Sequence, residues 1–158
     1  MTKQLVLKPE KCVDCRTCEL ICSFEHNGVF NPTLSAVTVF DYAEDVVTVP
    51  VMCLQCDEAS CAKVCPVHAI KRTEAGEMAI DYNKCIVCKL CVQACPMGNV
   101  SYSPLTHKVF KCDLCGGDPQ CARFCPPGAI QFVDPADDLD RKKAVAEGFR
   151  VILGEEVA

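Results

Sequence analysis

Sixteen cysteines stand among the 158 residues, and each falls into one of four groups. The first is Cys12-x2-Cys15-x2-Cys18-x3-Cys22, and the second is Cys53-x2-Cys56-x4-Cys61-x3-Cys65-Pro66. The third is Cys85-x2-Cys88-x2-Cys91-x3-Cys95-Pro96, and the fourth is Cys112-x2-Cys115-x5-Cys121-x3-Cys125-Pro126. Four thiolates packed into eleven to fourteen residues suit a cubane iron–sulfur cluster. C-x2-C-x2-C brings three thiolates to three corners of one cube, and the fourth corner must be filled from elsewhere in the chain. A zinc ribbon would set two C-x2-C pairs far apart. A disulfide scaffold belongs to a short secreted chain. Both match this spacing less well.

The elements between the groups must position these thiols. Ala36 to Phe40 and Val46 to Met52 are rich in Val, Thr and Phe and flank acidic Asp41 to Asp45, which predicts a hairpin. Ala69 to Arg72 and Met78 to Tyr82 flank Glu74-Ala75-Gly76-Glu77 and predict another. The x3-Cys ends, such as Cys18 to Cys22 and Cys91 to Cys95, suit single helical turns, which the following Pro stops. The repeat extends past the cysteines: Cys65-Pro66-Val67-His68-Ala69-Ile70 parallels Cys125-Pro126-Pro127-Gly128-Ala129-Ile130. A Lys precedes three of the groups, at Lys11, Lys84 and Lys111. The chain therefore reads as a duplicated unit duplicated again. The tail from Pro135 to Val157 lacks Cys and predicts a helix, with Asp137, Asp138 and Asp140 ahead of Arg141, Lys142 and Lys143.

Composition narrows the function. Half the residues count as hydrophobic, but the cysteines are among them and Trp is absent, so the apolar core is thin for this length. Met1 to Pro9 has no apolar h-region, cleavage site or twin-Arg pair. The longest apolar run, Val46 to Leu54, is broken by Thr48 and Pro50, so no membrane span is expected. A cytoplasmic protein is expected. The formal charge of −5 becomes about −13 if sixteen thiolates hold four oxidised clusters. Such a charge disfavours nucleic acid and favours a partner with a basic surface.

Nineteen residues separate Cys65 from Cys85, while thirty separate Cys22 from Cys53. In this spacing the second and third groups resemble bacterial two-cluster ferredoxins, and the first and fourth would form the other such module. Over residues 3–133 the chain resembles the four-cluster iron–sulfur subunits of molybdenum and tungsten oxidoreductases. In ferredoxins of this kind the fourth Cys of each run ligates the other cluster of the pair. The resemblance thus implies four nested [4Fe–4S] ligand sets. One is Cys12, Cys15, Cys18 and Cys125, and its neighbour is Cys112, Cys115, Cys121 and Cys22. The third is Cys53, Cys56, Cys61 and Cys95, and the fourth is Cys85, Cys88, Cys91 and Cys65. Sequential pairing, first with second and third with fourth, stays open because only sixteen residues join the last two groups.

The implied fold is α+β: two nested ferredoxin-like dicluster modules with short hairpins and helices. Residues 1–34 and 104–133 would form one module and 35–103 the other, with 134–158 as a helical tail. Fully Cys-ligated cubanes leave no open iron for substrate, so a non-catalytic relay is expected. Cys22-Ser23-Phe24-Glu25-His26-Asn27-Gly28-Val29-Phe30-Asn31-Pro32 looks like the small iron–sulfur proteins associated with tungsten aldehyde oxidoreductases, and is also similar to those of carbon monoxide dehydrogenase and formate–hydrogen systems. The implied partners are a large catalytic subunit with a tungsten or molybdenum cofactor and a flavin subunit or ferredoxin; a wire with both end clusters near the surface would also let further copies of the chain extend the relay. A relay for a hydrogenase, formate dehydrogenase or carbon monoxide dehydrogenase is the alternative, as is a free polyferredoxin.

The remaining residues have simpler expected roles. His26, His68 and His107 are expected to serve as surface or packing residues. Lys11, Lys84 and Lys111 either tune nearby clusters or face solvent. Arg141 to Lys143 either dock a partner or form a solvated helix face. Phe24, Phe30, Phe40 and Phe110 are expected to pack against clusters and hairpins. Ser23 stands where Pro follows the last Cys of the other groups, so a different local turn is expected there.

Overall fold

The computed structural model describes residues 3–42 and 47–134. The predicted tail helix, with Arg141 to Lys143, lies outside the described residues. Among the described residues, four antiparallel two-stranded ribbons make up the sheet content. β1 (Gln4–Leu7) pairs with β8 (Ile130–Val133), with Leu7 opposite Ile130, so the two ends of the Cys-bearing region close on each other. β2 (Val37–Tyr42) pairs with β3 (Val47–Met52), and β4 (Ile70–Arg72) with β5 (Met78–Ile80). These are the two predicted hairpins. The third, β6 (Val100–Ser103) with β7 (Lys108–Lys111), has strands of only four residues and carries little period-2 signal.

Each Cys group ends in a helix. α2 (Ser60–Lys63), α3 (Leu90–Ala94) and α4 (Gln120–Arg123) are single turns that stop before Cys-Pro, as expected, because Pro excludes helical geometry from the residue before it. α1 (Thr17–Asn27) differs. It runs eleven residues, straight through Cys22, and ends at Gly28, whose φ of 68° lets its N–H bond Phe24 O at 2.7 Å. Ser23 is the reason: it brings no ring clash, so the helix continues.

Ser23 also ties the chain beyond α1. Its hydroxyl is fully buried, donates to Leu20 O at 2.8 Å and accepts from Asn31 N at 3.1 Å. Ser23→Ala strands that half-buried amide and is expected to cost about 1 kcal/mol. The check is a lower guanidinium midpoint for loss of visible absorbance in the iron-loaded chain, measured without oxygen.

The core is split in two, and cysteines form part of each half. Cys18, Cys22 and Cys121 pack with Val37, Val39, Met52 and Ile130. Cys61 and Cys91 pack with Ala59, Ile70, Met78, Val100 and Val109. α1 packs against α4, and α2 against α3. The β2–β3 hairpin, grouped by sequence position with residues 35–103, gives its buried side chains to the first core instead. The cause is one tertiary contact: buried Glu19 on α1 accepts the Val39 amide at 2.7 Å and draws β2 onto that helix. The aromatic expectation also changes. Phe24 and Phe30 stack on each other with centroids 4.6 Å apart, but both are exposed, as is Phe40. Among the described residues no helix is long and apolar enough to cross a membrane.

Candidate metal centres

The C-x2-C loops achieve their curvature through left-handed backbone. In all four groups the residue before the second Cys has positive φ: Asp14 at 54°, Gln55 at 53°, Val87 at 56° and Leu114 at 56°. For a β-branched residue such as Val87 this conformation is strained, and it persists only where surrounding structure demands it. The demand here is that successive thiols turn toward a common centre. The Cys-Pro turns add a second such position, at His68, Gly98 and Gly128, whose N–H groups each bond the preceding Cys carbonyl at 3.1 Å.

None of the sixteen cysteines is in a disulfide, and they group in space by the cavities they line and the charges they feel. Cys53, Cys56, Cys61 and Cys95 line one cavity, together with Met78, Val100 and Lys111. Cys65, Cys85, Cys88 and Cys91 line another, under Ile70, Ile80 and Val109. Burial first, then the Glu19 carboxylate, pushes the Cys18 thiol up to about 12, with Cys125 and Cys15 adding to the effect. Burial pushes Cys112 up to about 12, against the Leu114 amide; Cys53 and Cys22 also raise it. Burial raises Cys115 to about 11 and raises Cys121 further, and Cys22 contributes to both. Burial raises Cys61 as well, opposed by Lys111 and reinforced by Cys53 and Cys95.

These sites fit iron–sulfur clusters on the chemistry of the donor set. Buried thiols raised in this way are poor anions on their own, and a cationic metal core supplies the missing counter-charge. The backbone adds donors toward sulfur. Ala69 N lies 3.3 Å from Cys65 Sγ, Asn99 N 3.3 Å from Cys95 Sγ, and Leu114 N 3.4 Å from Cys112 Sγ. Cys22, inside a continuing helix, cannot take such a donor from its own turn. Its donor is Ala36 N at 3.4 Å, fourteen residues on.

The wider loops are braced by side chains. Arg72 donates to Gln55 O at 3.2 Å and Cys56 O at 3.0 Å, holding the second group. Asp113 accepts the Cys115 amide at 2.9 Å in the fourth. His26 is exposed, in keeping with the surface or packing role expected of it, and its Nε2 lies 3.7 Å from Cys115 Sγ and 3.4 Å from Asp113 Oδ1. Sequence separation of 89 residues hid that contact. His68 and His107 are exposed, in line with a surface role. Of the three lysines, Lys11 and Lys84 are exposed and Lys111 is buried.

Comparison with known proteins agrees with this chemistry. Residues 44–135 match the model of the 4Fe-4S dicluster domain, and residues 9–25 match a 4Fe-4S binding domain. The chain is 40% identical over 123 residues to the polyferredoxin-like subunit of an aliphatic sulfonate oxidoreductase from Pyrococcus furiosus, covering 77% of this chain and 70% of that one. It is 32% identical to a component of the anaerobic dimethyl sulfoxide reductase of Escherichia coli, covering 84% of this chain and 73% of that component. Among solved structures, the BamBC active-site complex of benzoyl coenzyme A reductase, in its zinc-bound form, shares the fold. The TM-score is 0.50 at 24% identity, over 91% of this chain and 88% of that one.

Proposed function

The chain belongs to the 4Fe-4S dicluster domain family, and from that premise we propose that it is an electron-relay subunit of an oxidoreductase complex, built to hold four [4Fe–4S] clusters. The observation that carries the proposal is the convergence of Cys53, Cys56, Cys61 and Cys95 on one cavity and of Cys65, Cys85, Cys88 and Cys91 on another. Each of these sets takes three cysteines from one group and the last Cys of its neighbour. The same rule assigns Cys125 to Cys12, Cys15 and Cys18, supported by the influence of Cys125 on Cys18. It assigns Cys22 to Cys112, Cys115 and Cys121, supported by the influence of Cys22 on all three thiols. The first and fourth groups accordingly make one dicluster module and the second and third groups the other. Packing of α1 on α4 and α2 on α3 supports this division.

A bound [4Fe–4S] cluster supplies a one-electron couple with little rearrangement. The chain's own residues orient the thiols, donate amides to sulfur and exclude water with Ile70, Ile80 and Val109. Cys112 of one module lies within electrostatic reach of Cys53 of the other, which supports a serial order of the four sites. The two outer sites then include Cys15 and Cys88, both exposed, beside exposed Val13 and Ile86. Those faces suit contact with partners at either end, including a second copy of the chain. With every Cys engaged as a ligand, no residue is assigned to catalysis.

The partner assigned by this reading is a catalytic subunit with a tungsten or molybdenum cofactor that oxidises an aldehyde, with a flavin subunit or ferredoxin as acceptor. The segment Cys22 to Pro32 supports this reading. A hydrogen–formate system is the second reading, favoured by 30% identity to subunit 2 of the Escherichia coli formate hydrogenlyase. The test is metal analysis of the complex retained by a tagged chain purified without oxygen. Tungsten or molybdenum beside about sixteen iron atoms per relay chain is expected. Iron alone, with no large subunit retained, would replace the relay subunit with a free carrier.

A further inference from the structure

Lys111 closes β7 as the residue before Cys112, and only 6% of it is exposed. Its ammonium donates to Met78 O and, at 2.6 Å, to Cys112 O. Among the described residues it makes no salt bridge with a carboxylate. Beside it, Gln55 donates to Cys112 O at 2.8 Å and accepts from Met78 N at 2.7 Å. Lys111 and Gln55 thus bridge Met78 of the second core to Cys112 of the fourth group. The same ammonium-bearing side chain lines the cavity on which Cys53, Cys56, Cys61 and Cys95 converge.

A buried cation held by two carbonyls alone is expensive to desolvate. Two neutral carbonyls do not balance a full charge. The remaining countercharge available nearby is the thiolate set facing that cavity, where Lys111 opposes the rise of Cys61, and to a lesser extent the adjoining Cys112. The equivalent lysines differ: Lys11 is exposed, and Lys84 is exposed and ion-paired to Asp81 at 3.7 Å. The distinction lies in the tertiary setting of Lys111, not in its place within the repeat.

We propose that Lys111 sets the redox potential of the site formed by Cys53, Cys56, Cys61 and Cys95, favouring its reduced state at the junction between the two modules. The proposal rests on the four-cluster reading. Reduction adds one negative charge to that site, and a nearby buried positive charge stabilises the reduced state more than the oxidised one. Lys111 is therefore a positioning and tuning residue, and it exchanges no electron itself.

The test is a redox titration of the iron-loaded chain, followed by electron paramagnetic resonance. The couple deleted by Cys53→Ala identifies the site. Lys111→Met is expected to lower that couple by about tenfold in its reduced-to-oxidised ratio, about 59 mV for one electron. Lys111→Arg should restore it, and Lys84→Met should move no couple. If Lys111→Met loses iron, Lys111→Gln, which keeps a donor without the charge, becomes the deciding variant. An unmoved couple with full iron content would overturn the proposal, as would a larger movement of a different couple. Loss of iron in both neutral variants would also overturn it, by making Lys111 a strut for the two carbonyls. A wild-type chain with far fewer than about sixteen iron atoms would instead sink the four-cluster reading, and this inference with it.

Discussion

Cys53→Ala and Cys95→Ala are each expected to remove about four iron atoms per chain, and the double variant to remove no more than either alone. The two cysteines lie 42 positions apart in different groups, so nothing local links their fates. They line one cavity, however, and both raise the same Cys61 thiol. If they serve one cluster, the first substitution abolishes what the second would remove. Sequential pairing makes the opposite prediction. It would assign Cys95 to the fourth group, so the double variant would lose about eight iron atoms. Alanine is the right replacement, since serine oxygen can itself ligate iron. Iron analysis and counting of redox couples on the same anaerobic samples decide between the two pairings.

Stripping the iron is expected to abolish the cooperative thermal transition and most ordered backbone signal in circular dichroism. The ribbons are all two-stranded, and an isolated two-stranded ribbon is marginal in water. α2, α3 and α4 span four or five residues, far below the length at which helices persist alone. The two cores are small and include Cys18, Cys22, Cys121, Cys61 and Cys91. Without metal, each core must bury thiols in place of a bonded cluster.

High pH should deepen this instability. Cys18 and Cys112 are raised from 9.0 to about 12 in the folded chain. A thiol raised on folding holds its proton in the native state, so its contribution is intact below pH 9 and is lost as pH climbs toward 12. Any ordered fraction of the stripped chain should therefore fall across that window. The iron-loaded chain, whose thiols have already released their protons, should show no such transition there. A stripped chain that melts cooperatively at neutral pH would mean that the protein scaffold stands without its metal.

Much of this was legible in the residues. The spacing of the cysteines specifies local loops whose thiols face one way, because three residues of chain cannot separate neighbouring thiols far. Pro66, Pro96 and Pro126 mark where single-turn helices stop, and Ser23 marks where one continues. Val37 to Val39 and Met78 to Ile80 carry enough β-branched and apolar character to declare their hairpins. These are short-range effects, governed by sterics and hydrogen bonding within a few residues.

Long-range pairing is different, because its signal is spread over distant positions with no local period. Leu7 finds Ile130 only when the two ends of the Cys-bearing region meet, and four-residue β1 and β8 carry no signature of each other. Glu19 claims Val39 for the first core across twenty residues. His26 reaches Cys115, and Ala36 supplies the amide that Cys22 cannot obtain from its own turn. Lys11, Lys84 and Lys111 look alike in sequence, yet only Lys111 lies beneath β5 where water cannot screen it. The residues by themselves determined the cofactor chemistry, since thiol type and spacing are local properties. Which thiols share a site, and which charge is buried beside them, was decided by tertiary packing, since solvent exclusion exists only once the chain has closed.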